Sequence, residues 1–345
     1  MSVEEQMARR KNFVLAALLA SSPVSWSQEP VSHKTIQAGQ LSVLFYDNAR
    51  SPSLLSGVQS LFNTKHAPGY DAFDPDAPGA SAGLNFEHII SGHRNPDNKF
   101  TPRHGRYTLH QLDSNKVMLK RRREDSPWAV SSTMTYTVKP PYYIDFEFTC
   151  TPHDASLFAS RGHAIFFWAD YMNDVLDISL HFLGQKEAGG KEQWISADAP
   201  AGHPDHVGGG TYRNLAAQPI DYDKDQKFRL NSWSYEWPRY VRPFYVGRAA
   251  KQMAFILMFD RAYSERDEIR FSLFKFKVRK NHLRPAWDFQ YVIHQVEENA
   301  TYGFRGRLVW KKFSSLENCL AEYNSWALQD SPIHPANTAA RRVKN

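Results

Sequence analysis

Several short strings in this 345-residue chain hold the residue types that acid–base chemistry needs. In Tyr142-Tyr143-Ile144-Asp145-Phe146-Glu147-Phe148-Thr149 the apolar residues fall at every second place. On a strand, Ile144, Phe146 and Phe148 turn to one face, and Asp145 and Glu147 share the other. Their Cα atoms then stand about 7 Å apart. Two carboxylates at that scale can break a glycosidic bond, one as acid and the other as base or nucleophile. The competing reading is the wet face of a half-buried antiparallel strand. In Phe166-Phe167-Trp168-Ala169-Asp170-Tyr171-Met172-Asn173-Asp174-Val175-Leu176-Asp177 a wholly apolar run ends in three carboxylates. Trp168 and Tyr171 offer flat faces there for the C–H side of a sugar ring, and Asp170 a carboxylate for its hydroxyls. An Asp-rich capped turn explains the same string. In Trp287-Asp288-Phe289 the carboxylate lies between two large rings, where desolvation raises its pKa toward use as a general acid. Asp260 and Arg261 follow the apolar run 253–259 and fall at the rim of a sheet, where ligand sites open.

The stretch 233–248 is the densest aromatic and cationic part of the chain. Trp233, Tyr240, Arg242, Tyr245 and Arg248 suit a groove for a neutral or anionic glycan, with Arg pairing to a uronate or sulfate. Its prolines are expected to interrupt any strand, and an irregular edge with Arg–aromatic stacking is the plainer account. Tyr240 or Tyr245 with His88 and Arg242 would also equip a β-elimination. His88 reads either as a general base or as a histidine satisfied beneath a loop. His203-Pro204-Asp205-His206 lacks a nearby fourth ligand, so no metal is expected. The chain has no P-loop, dinucleotide fingerprint or Cys-x-x-Cys pair, and no cofactor is expected.

Positioning such residues falls to a mainly β scaffold. Period-two patterns predict strands at 41–46, 106–111, 117–120, 131–138, 142–149, 164–168, 178–182, 229–235, 253–259, 269–277, 287–293 and 302–311. This many short strands predicts an all-β, mostly antiparallel protein, a large or doubled sandwich with one or two short helices. One helix is expected after Ser51-Pro52, with Leu54, Leu55, Val58, Leu61 and Phe62 on one face. The second opens on the capping box Ser314-Ser315-Leu316-Glu317. Segments 63–102 and 184–225, rich in Gly, Pro, Asp and His, read as long loops; the first is expected to line a cleft.

Residues 1–27 read as a secretory signal. Arg9-Arg10-Lys11 precede a short apolar run, and Ser25-Trp26-Ser27 places the cut before Gln28. Residues 28–330 then form the sandwich, with a boundary near 184–225 if there are two, and 331–345 a flexible basic tail. The protein is expected to be periplasmic or extracellular, with no membrane span. The formal charge of +6 falls to +5 without the leader and to +2 without the residues from Thr338 onward, because six of its cations lie in those ends. A body of +2 excludes a nucleic-acid footprint. Cys150 and Cys319 serve equally well as small buried residues or as a bridged pair.

Gly83-Leu84-Asn85-Phe86-Glu87-His88, Tyr143-Ile144-Asp145, Phe167-Trp168-Ala169-Asp170-Tyr171, Met258-Phe259-Asp260 and Pro285-Ala286-Trp287-Asp288-Phe289 resemble an uncharacterised family of exported bacterial β-sandwich proteins found in polysaccharide-degrading bacteria. The resemblance implies a sandwich and a glycan context, and no residue roles. Together these features predict a carbohydrate-active protein. Hydrolysis by a pair drawn from Asp145, Glu147, Asp170 and Asp288 comes first, with β-elimination and non-catalytic glycan binding as the alternatives. They further predict that Trp168, Trp233, Tyr240 and Asp288 converge on one concavity.

Overall fold

A computed structural model of the chain describes residues 29–48, 55–74, 83–91, 101–159, 162–198, 208–220, 236–260, 267–278 and 282–329. They build three sheets whose strand pairings are antiparallel. The small sheet runs in order through β1 (His33–Ala38), β2 (Leu41–Tyr46), β3 (Gly57–Asn63) and β4 (Ala67–Asp71). A five-stranded sheet has the order β13 (Gly208–Tyr212), β17 (Asp267–Val278), β18 (His282–Ile293), β10 (Ala164–Ala169) and β5 (Asn85–Ser91). The large sheet runs β12 (Gln193–Ala197), β11 (Val175–Gln185), β15 (Phe244–Ala249), β16 (Met253–Phe259), β19 (Tyr302–Lys312), β9 (Tyr143–Pro152), β8 (Val130–Lys139), β7 (Lys116–Arg121) and β6 (Thr108–Asp113), with β14 (Arg239–Tyr240) beside β11.

Alternation decides which face each strand buries. Along β9, Ile144, Phe146, Phe148 and Cys150 are buried, while Tyr143, Asp145, Glu147 and Thr149 are half-exposed. Rings from the five-stranded sheet close on that inner face: Trp168 meets Phe148 at 4.7 Å and Phe304 at 4.9 Å, and Phe86 meets Phe148 at 5.4 Å. The small sheet joins the same core through Phe45 on Tyr136 at 5.2 Å and Tyr70 on Trp310 at 6.1 Å. Burying each such side chain contributes about 1.5–3 kcal/mol.

Helix α1 (Thr101–His104) is a single turn, and α2 (Leu316–Gln329) lies on the outer face of the large sheet. There Cys319 and Trp326 cover Phe244, Val246, Ile256 and Met258. Glu322 ties α2 down, accepting from the Tyr142 hydroxyl at 3.0 Å and the Tyr143 hydroxyl at 2.8 Å, with Lys311 at 2.5 Å. Ser315 caps α2 by accepting from Asn318 N at 3.1 Å, one residue later than the expected box. Cys150 and Cys319 are free thiols on opposite faces of the large sheet, which rules out a bridge between them.

Two expectations about elements are corrected. Residues 57–63 are strand, not helix. The pairing jumps from Leu44↔Ser60 to Phe45↔Val58, so Gln59 is an extra residue and Val58 and Leu61 both reach the core. A bulge thus imitates the spacing of a helix. Likewise, the prolines near residue 240 do not prevent a strand: Pro243 stands immediately before β15, a permitted place, and β15 is a buried central strand. The expected strand at 229–235, the leader, the basic tail, Trp233 and Arg261 lie outside the described residues.

Candidate functional site

The outer face of the five-stranded sheet is buried and polar. Thr211 lies opposite Ser272, and Ser272 opposite Asp288. One pleat along, Arg270 lies opposite Gln290, Gln290 opposite Phe167, and Phe167 opposite His88. None of these six polar residues is more than 3% exposed. Farther along the same face Ile90, Ile165 and Val292 form an ordinary apolar patch. Burying charge and amide groups is expensive unless they are paired, and a sheet that needed only to fold would extend the apolar patch.

A bulge assembles the core of this site. Pairing between β5 and β10 steps from Phe86↔Trp168 to His88↔Phe167, so Glu87 is an extra residue. Strict alternation from Phe86 would turn His88 inward. Instead His88 stacks on Phe167 at 4.3 Å with its Nδ1 3.3 Å from Glu87 Oε2. Glu87 Oε1 accepts from the Tyr171 hydroxyl and from Arg103 Nη1, each at 2.9 Å. Arg103 comes from α1, which Asn48 anchors by donating from Nδ2 to Gly105 O at 2.6 Å and to Arg103 O at 3.3 Å. Bulges of this kind recur next to reactive sites because they re-aim side chains.

The carboxylates here are pushed in opposite directions. Burial alone would push Glu87 up, but the hydrogen bond and charge of His88, with Arg103 and the Tyr171 hydroxyl, hold it below the usual range. Burial drives Asp288 well above that range, with the Glu87 and Asp170 charges adding to the rise. Asp288 Oδ1 accepts from Asp170 N at 2.8 Å. Burial likewise raises Asp170 to about 8, although Leu84 N donates to its Oδ1 at 2.7 Å. Paired carboxyl groups driven apart in this way mark acid and base assignments. Beyond them Arg270 pairs with Glu268, whose second oxygen is 3.6 Å from His294 Nε2. Tyr171 and Arg103 are the partly exposed members, which makes theirs the side of approach.

Four of the residues singled out from sequence therefore meet here: His88, Asp170, Tyr171 and Asp288. Glu87 and Arg103 complete the cluster and were not chosen, because a bulge leaves no mark in a single sequence beyond the adjacent Glu87-His88 itself. A second group gathers on the open face of the large sheet. There Arg307 pairs with Asp145 (Nη2 to Oδ2 3.0 Å), and Arg305, opposite Glu147, pairs with Asp260. Lys139 Nζ also lies 2.6 Å from Asp145. Asp145 is pulled down by Arg307 and Lys139 against the rise from burial, so it stays ionised and is no general acid.

The expected convergence of rings is corrected. Trp168 is fully buried, stacked between Phe86 at 4.7 Å and Phe289 at 5.2 Å, which leaves no face for a sugar. Tyr240 and Tyr245 are sealed in the core as well. Their hydroxyls donate to Ile269 O and, at 2.7 Å, Trp287 O, and burial raises both well above the ordinary tyrosine value. Arg242 pairs with Glu192 at 3.2 Å, and Arg248 stands 4.7 Å over the Phe313 ring. Neither reaches the cluster around Glu87. Among the described residues no three His, Cys, Asp or Glu side chains are arranged to hold a metal ion, and no helix is long and apolar enough to cross a membrane.

No protein-family model matches the chain, and no curated protein matches it. Among solved structures it is similar to a GalM/aldose epimerase homologue from Caenorhabditis elegans, at 12% identity and a TM-score of 0.42, covering 82% of this chain and 99% of that one. It is similar to the heparan sulfate lyase HepC of Pedobacter heparinus at 7% identity and a TM-score of 0.42, covering 80% of this chain and about a third (34%) of that one. A TPR-domain containing protein from Parabacteroides distasonis follows at 8% identity and a TM-score of 0.44, covering 80% and 46%. Likeness at this level assigns no residue a role.

Proposed function

We propose that the protein is an exported carbohydrate-active enzyme that hydrolyses a glycosidic bond at the buried face of the five-stranded sheet. The observation that carries this reading is geometric: Glu87, held by His88, Arg103 and Tyr171, and Asp288, held by Asp170 N, belong to one buried polar cluster that pushes the first below and the second above the usual carboxylate range. Asp288 donates its proton to the glycosidic oxygen as the C–O bond breaks. Glu87 acts on the opposite side as base toward water, or as nucleophile. His88 and Arg103 keep Glu87 charged, and Gln290, Ser272 and Thr211 supply hydroxyl-binding groups. Asp170 holds Asp288 in place through its backbone N–H.

Tyr171, His88 and Arg103 around one point also have the residue types of a β-elimination, which is the second reading. The Tyr171 hydroxyl already donates to Glu87, and burial with the Glu87 charge raises it well above the ordinary tyrosine value, which favours hydrolysis.

Incubating the mature protein with a panel of glycans, following reducing ends and unsaturated ends together, tests both. Hydrolysis gives reducing ends alone, and elimination gives both. Glu87→Gln and Asp288→Asn are each expected to lower turnover by about 10²–10⁴ with the fold kept, as circular dichroism would show. Retention on a glycan without any product leaves a binding protein and ends the enzymatic reading. N-terminal sequencing of secreted material should begin at Gln28.

A further inference from the structure

We infer a second ligand site, separate from the face around Glu87: a cleft on the outer side of the large sheet that takes the acid groups of an anionic polysaccharide. The cleft has a volume of about 190 Å³ and is lined by Lys116, Thr137, Lys139, Asp145, Glu147 and Arg305. The cleft begins where the cover of α2 ends, with Trp326 as its wall.

Register builds the lining in two rungs. Lys116, Thr137, Asp145 and Arg307 lie opposite one another across β7, β8, β9 and β19, and Thr135, Glu147 and Arg305 form the next rung. Lys116 and Arg305 stand at opposite ends of these rungs, on β7 and β19, so two acid groups of one polymer can each meet a cation. The Arg305 guanidinium is already oriented by Asp260, whereas Arg307 gives both Nε and Nη2 to Asp145 beneath the cleft, against the Tyr143 ring 4.6 Å away. Such preorganisation favours planar, two-point pairing with carboxylate or sulfate.

Three cations line the cleft (Lys116, Lys139, Arg305) with two carboxylates (Asp145, Glu147), a balance of +1. A track for phosphodiesters would exclude the carboxylates. Carboxylates and threonine hydroxyls between cations instead suit a ligand that brings both acid groups and hydroxyls.

Affinity electrophoresis through gels holding polygalacturonate, dextran sulfate or neutral dextran tests the site, with an oligodeoxythymidine mobility shift alongside. The protein should be retarded by at least one acidic polymer and not by neutral dextran; which polymer acts separates carboxylate from sulfate recognition. Lys116→Gln with Lys139→Gln should weaken that binding at least tenfold. Lys186→Gln with Lys191→Gln, an equal loss of charge elsewhere, should leave it unchanged. Equal effects of the two pairs, equal retardation by neutral dextran, equal binding of the oligonucleotide, or no retardation at all would each overturn the inference.

Discussion

Glu87 and Asp288 carry the same functional group, and their surroundings push its pKa in opposite directions. Activity should therefore fall on the acid side as Glu87 takes up a proton and on the alkaline side as Asp288 loses one, giving a bell-shaped kcat/KM profile. Arg103→Gln should move the acid limb to higher pH, because Arg103 helps keep Glu87 charged. Asp170 makes a separate prediction about stability. It holds its proton up to about 8 in the fold, against an ordinary value of 3.8. Between those values the folded chain binds a proton that the unfolded chain has released. The contribution of Asp170 is thus full below the lower value and is lost as pH rises, at about 1.4 kcal/mol per pH unit. Glu87 acts with the opposite sign, its contribution lost as pH falls. Urea denaturation at several pH values should show a shallower fall toward pH 8 for Asp170→Asn than for the parent. At this scale the sequence was partly legible. Asp288 is desolvated as expected, but not by Trp287 and Phe289, which turn to the inner face; Trp168 and Tyr240 were misread, because aromatic content alone does not say which side of a sheet a ring occupies.

Among the elements, α2 shows how local signals and tertiary contacts combine. Its capping pattern and apolar spacing were readable within one residue, yet what fastens it is Glu322 meeting Lys311, Tyr142 and Tyr143. Glu322→Ala should cost about 2 kcal/mol, and Ser315→Ala about 1 kcal/mol, both read from urea midpoints. Three of the strands missed from sequence share one cause. The bulges at Gln59 and Glu87 break period two, and Gly208-Gly209-Gly210 in β13 carries almost no strand preference of its own. Each of these is specified by the neighbour it pairs with, and one sequence read along its length does not contain that information.

On the scale of the whole molecule, residues of all three sheets share one core, so unfolding should be a single transition by fluorescence and by circular dichroism alike. Gly247→Ala tests the closeness of that packing. A Cβ there would fall 2.3 Å from the Trp287 ring, and the change should destabilise by about 3 kcal/mol. The sheet-on-sheet class followed from alternation and turn spacing, while the division into three sheets depends on non-local order such as β16–β19–β9. One consequence of the bulge in β5 reaches beyond catalysis. The extra residue lets a strand that is buried from Asn85 to Ile90 keep Phe86 in the core and His88 against Phe167 while adding a carboxylate between them. A chain lacking Glu87 would restore the regular ladder with both neighbours in place, so it should melt like the parent while losing turnover.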